Sequence, residues 1–61
     1  MILYHLNGNE LIINLDHVVT MQTKPGGGYA VTMINGNVYT VSSETLIDML
    51  KKIMVHNHGN F

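Results

Sequence analysis

Leu6-Asn7-Gly8-Asn9 and Ile34-Asn35-Gly36-Asn37 are one pattern written twice, an apolar residue followed by Asn-Gly-Asn. Asn-Gly between alternating apolar runs is the strongest short-range hairpin signal, because a type I′ turn needs positive φ at both central residues. Asn and Gly enter that region with the least steric penalty. Turns at Asn7-Gly8 and at Asn35-Gly36 therefore predict that most of this protein is a small antiparallel sheet.

The strands follow outward from the turns. Ile2 to Leu6 places Ile2, Tyr4 and Leu6 on one face and Leu3 and His5 on the other. Glu10 to Asn14 returns with Leu11 and Ile13 opposed to Ile12. Asn14-Leu15-Asp16 offers local side-chain acceptors and reads as a tight connection. His17 to Thr23 is rich in β-branched residues and predicts a third strand. After Lys24-Pro25-Gly26-Gly27-Gly28, Tyr29 to Ile34 and Val38 to Val41 supply the fourth and fifth. The glycine run is not a phosphate loop, which ends in Lys-Ser/Thr and opens a helix. Tyr29 and a strand follow here, so a flexible connection suited to contact is expected.

Beyond Val41 the period changes. Ser42 or Ser43 suits an N-cap, and Glu44 falls in the first turn, where the helix dipole favours an anion. Leu46, Met49, Leu50 and Ile53 then recur at helical spacing, predicting a helix from Ser43 to about Val55. Asp48 and Lys52 stand four residues apart, as in a helical ion pair. Residues 1–55 thus form a single domain, and 56–61 (His-Asn-His-Gly-Asn-Phe) read as a flexible tail. The fold class is α+β: a five-stranded antiparallel β-meander with one C-terminal helix packed on the sheet.

Size limits what such a fold can do alone. For 6.8 kDa the surface falls from roughly 9,900 Å² unfolded to about 4,000 Å² folded. Apolar burial on that scale contributes about 90 kcal/mol as an upper bound. Conformational ordering costs about the same, at roughly 1.5 kcal/mol per residue. A balance near zero calls for a staple, and with no cysteine a second subunit is the simplest one. The apolar arc of the helix is also wide, with Met49 at its edge and Ile47, Leu50 and Met54 toward the other side. A helix about 18 Å long cannot cover five strands spaced ~4.8 Å apart. Ile47, Leu50 and Met54 are accordingly the candidate partner or oligomer interface, with self-association as a homodimer or docking of another protein as the expected use.

Charge narrows the partners. Lys24, Lys51 and Lys52 are the only basic residues apart from histidine, and the net charge is −1. Three scattered lysines argue against nucleic acid, whose binding rests on neutralised phosphates, and against a polybasic membrane patch. No run approaches the ~18 apolar residues of a membrane span. The first residues lack the cationic and apolar segments of a signal peptide. A cytoplasmic protein without membrane insertion is expected.

No catalytic constellation is legible. Glu10, Asp16, Glu44 and Asp48 are dispersed, and a capping role accounts for Ser42 and Ser43. His56-x-His58 is the one close histidine pair, while a metal site needs three or four ligands on a held backbone. Nothing in the spacing requires His5 and His17 to meet, and whether any of the four binds a metal stays open. No metal or cofactor is assigned. Of the methionines, Met33 and Met49 fall in core phase, and Met54 is the surface candidate.

The order of elements resembles a known family. Leu6-Asn7-Gly8-x-Glu10-Leu11-x-Ile13-Asn14, a Val-rich strand, Val31-Thr32-Met33-Ile34-Asn35-Gly36-x-x-Tyr39-x-Val41 and a terminal amphipathic helix are similar to the FlbD/SwrD proteins. These are short bacterial proteins encoded with flagellar genes. The likeness spans residues 4–54. Leu15 stands where the family commonly has proline, Gly26–Gly28 replaces a shorter polar turn, and the acidic run after the helix cap is missing. The resemblance implies a non-enzymatic cytoplasmic accessory to flagellar motility. The alternative is a small phage- or mobile-element-encoded protein that binds and modulates a host protein.

Overall fold

The computed structural model describes residues 1–8 and 10–58, His58 by its backbone alone. Five strands precede one helix: β1 (Leu3–Leu6), β2 (Leu11–Asn14), β3 (Val18–Thr23), β4 (Tyr29–Met33), β5 (Val38–Val41) and α1 (Ser43–His58). Every strand pairs antiparallel with a neighbour in sequence, and the C-terminal helix packs against them, so the α+β class is the one the sequence predicts. The strands divide into two sheets, however. β1 and β2 form a hairpin, and β3, β4 and β5 form a separate meander. The break is a 3₁₀ turn at Leu15–His17. Asn14 caps it, its Oδ1 accepting the Asp16 N–H at 3.1 Å, and Leu15 is driven into the core. A turn anchored by a buried leucine cannot continue a ladder, which is why the meander splits there.

Side-chain alternation sets the layers. In the hairpin, Tyr4 faces Ile13 on the buried side and His5 faces Ile12 on the exposed side. In the meander, Met21, Val31 and Tyr39 align across the inner face, and Thr20, Thr32 and Val38 across the outer one. Leu46 and Met49 of α1 close the core over Tyr4, Ile13, Leu15, Val31, Met33 and Val41. The core phase expected for Met33 and Met49 is observed.

The two Asn-Gly pairs, Asn7-Gly8 and Asn35-Gly36, turn differently. At the first, Asn7 and Gly8 both have positive φ (51° and 63°), and the Glu10 N–H closes on the Asn7 carbonyl at 3.2 Å. The closing bond therefore frames Asn7 to Glu10, one residue later than a turn centred on Asn7-Gly8. At the second, Asn35 is not in the positive-φ region, and only Gly36 is, at 92°. Gly36 N–H donates to the Met33 carbonyl at 2.9 Å, and Met33 N–H donates to the Asn37 carbonyl at 2.8 Å. This is a three-residue loop, Ile34-Asn35-Gly36, with glycine at the left-handed position. Ile34 is drawn into the loop because its N–H is taken by the His17 carbonyl at 2.7 Å. The type I′ expectation thus fails at Asn35-Gly36.

Lys24 to Gly28 is likewise a closed turn, where a flexible connection was expected. Gly27 N–H donates to the Lys24 carbonyl and Lys24 N–H to the Gly28 carbonyl, both at 3.1 Å. Pro25 leads and Gly26 follows at φ 89°, the residue order a type II turn prefers.

The helix also outruns its expected end. His56 and Asn57 lie within α1, where the sequence places the start of a tail; Gly59 to Phe61 lie outside the described residues. Neither His56 nor Asn57 forbids helix, and no glycine or proline intervenes before Gly59.

Candidate interaction surface

Ser42 starts the element that carries the surface. Its Oγ accepts the Thr45 N–H at 3.1 Å, and its carbonyl accepts the Leu46 N–H at 2.9 Å. Ser42 is therefore the N-cap and Ser43 the first helical residue. From there the spacing of the apolar positions decides what is hidden. Leu46 and Met49 are buried and Ile53 packs against the core beside them.

A tyrosine hydroxyl ties the helix to the first strand. The Tyr4 hydroxyl donates to Asp48 Oδ2 at 2.7 Å, joining β1 to α1 across 44 residues of sequence. Burial raises the Tyr4 phenol above its ordinary value of 10.0, and the hydrogen bond and charge of Asp48 push the same way. Sequence reasoning missed this link, giving Asp48 to Lys52; no Asp48–Lys52 ion pair forms among the described residues. The available signal was that a core-facing tyrosine seeks a partner for its hydroxyl. At 100° per residue, the contacts of α1 run from Asp48 through Met49 to Leu46. Met49, at the edge of the apolar arc, therefore sits at the centre of these contacts and is fully buried.

That packing leaves Ile47, Leu50 and Met54 outside. They are spaced i, i+3, i+7 on one stripe and are 52, 43 and 58% exposed. All three sequence candidates are thus brought together. Val55, 72% exposed, lies about 100° further round the helix and does not belong to the stripe. On the Asp48 side, Tyr4, Glu44, Ile47 and Lys51 line an open groove of about 400 Å³. A second groove of about 470 Å³ lies between the N-terminal residues and Lys51, Lys52, Val55 and His56.

The remaining candidates are scattered. Asn7, Gly8, Asn35 and Gly36 occupy the turns described above. His5 and His17 are exposed on and beside different strands, with His17 Nε2 3.5 Å from Asn14 Nδ2. His56 is exposed on α1, and the side chain of His58 lies outside the described residues. No group of three or more potential metal ligands occurs among the described residues. No helix there is long and apolar enough to cross a membrane. Comparison with protein-family models, curated proteins and solved structures returns no match.

Proposed function

We propose that this protein is a non-enzymatic interaction module that works as a homodimer joined through the Ile47–Leu50–Met54 stripe of α1. The observation that carries this reading is the stripe itself, three large apolar side chains left in water although the helix is docked. A single self-complementary stripe suits two-fold pairing, in which each copy offers the same patch. A stable interface buries about 800 Å² per partner, so the stripe forms its centre and Ser43, Lys51 and Asn57 its rim.

Sedimentation at micromolar concentration tests it. The wild type should run as a dimer, Ile47→Lys with Met54→Lys should dissociate it, and Val55→Lys should leave it intact. A stable, well-folded wild-type monomer refutes the proposal. The flagellar accessory role is the specific form we attach to this module. Its support is the sequence resemblance over residues 4–54, and unaltered motility after deletion of the gene would remove it.

A further inference from the structure

The two Asn-Gly pairs, Asn7-Gly8 and Asn35-Gly36, meet water in different hydrogen-bonding states, and asparagine followed by glycine is chemically labile. The glycine nitrogen, after losing its proton to solvent, attacks the asparagine Cγ. A new N–C bond closes a five-membered succinimide, the C–N bond of the carboxamide breaks, and ammonia leaves with the proton. Water then opens the imide. Cleavage of the N–Cγ bond gives aspartate, and cleavage at the backbone carbonyl gives isoaspartate. Water is the only co-reactant.

We propose that Asn7 is a site of this spontaneous modification in the folded protein, and that Asn35, in the same sequence, is protected. Steric room does not separate the two. A Cβ built on Gly8 or on Gly36 meets nothing within 4 Å, and both asparagines are exposed. Hydrogen bonding does separate them. The attacking nitrogen of the second site, Gly36 N, donates to the Met33 carbonyl at 2.9 Å. The electrophile is held as well, since Asn35 Oδ1 accepts the Asn37 N–H at 3.0 Å. Both bonds must break before the ring can close. At the first site neither the Gly8 N–H nor the Asn7 carboxamide has a hydrogen bond among the described residues. The Asn7 backbone carbonyl does accept one, from Glu10 N–H. Withdrawal of electrons from that carbonyl eases loss of the proton from the conjugated Gly8 nitrogen.

Two ordinary hydrogen bonds together correspond to a factor of about 30 in the population of the open, reactive turn. Conversion at Asn7 adds one negative charge to a protein whose net charge is −1. In the isoaspartyl form it also lengthens the backbone within the turn that registers β1 on β2.

The test is peptide mapping by mass spectrometry on the folded protein, aged in mildly alkaline buffer, beside the same protein aged in denaturant. Asn7 should convert about 30-fold faster than Asn35 when folded. The two rates should converge in denaturant, where the shared Asn-Gly-Asn sequence alone decides them. Equal rates in the folded protein, or a faster Asn35, overturn the proposal. Amide hydrogen exchange gives an independent measurement. Gly36 should be protected and Gly8 should exchange freely, and protection of Gly8 equal to that of Gly36 refutes the mechanism.

Discussion

Replacing Tyr4 with phenylalanine removes a side-chain bond that ties the first strand to the helix. The ring is 8% exposed and its packing is kept, so the substitution removes the donor to Asp48 and little else. A hydrogen bond to a charged acceptor contributes about 1.5–3 kcal/mol. Asp48 is exposed and regains water when the donor is gone. That recovery brings the expected loss at neutral pH down to about 1 kcal/mol. In a domain of this size the melting temperature should fall by about 4–8 °C. Thermal and urea unfolding followed by circular dichroism measure it, with protein concentration fixed because dimerisation would shift the midpoint. In a double-mutant cycle, Asp48→Ala after Tyr4→Phe should cost less than Asp48→Ala alone. The pH dependence carries a sign. The Tyr4 hydroxyl is held above 10.0, by burial first and by Asp48 second, so the fold favours the neutral phenol. That contribution is complete below pH 10 and is lost as the pH rises beyond it. The variant has no hydroxyl to ionise, so its deficit relative to the wild type should narrow in strongly alkaline solution. A variant as stable as the wild type, strict additivity in the cycle, or a deficit unchanged above pH 10 would refute the reasoning.

The helix cap gives a second outcome. Ser42→Ala should lower stability by about 1 kcal/mol in urea titration, while Ser43→Ala, at the first helical residue, should change little. The glycines give a third. Gly36→Ala meets open space and should suffer only the left-handed backbone penalty of about 1–2 kcal/mol. Gly28→Ala bears that penalty and also sets a Cβ 3.1 Å from the Val41 carbonyl, so it should unfold at the lower urea concentration of the two.

Strand faces were legible in the sequence because alternation is a local property. Tyr4 against His5, and Val31 against Thr32, need only their neighbours to be assigned to a side. The helix start was legible for the same reason, down to a choice between two adjacent serines. What escaped depends on partners distant in sequence. Asn35-Gly36 cannot reveal its turn type without the His17 carbonyl that draws Ile34 into the loop. Asp48 cannot reveal its partner while Lys52 stands one turn away and Tyr4 stands 44 residues away. Periodicity found Ile47, Leu50 and Met54 for the surface and Met49 for the core, and the observed exposures agree.

The pairing of every strand with its neighbour in sequence has a kinetic consequence. Three hairpin contacts, β1 with β2, β3 with β4 and β4 with β5, each close over a short loop, and no strand must wait for a distant one. Low contact order of this kind belongs to rapid folders. A much longer closure brings α1 back to β1, which must gather 44 residues before Tyr4 can reach Asp48. Loop-closure entropy grows slowly with length but has to be overcome in one step. The hairpins are thus equipped to form first, and the seating of the helix on the N-terminal hairpin is the step that makes them one cooperative unit.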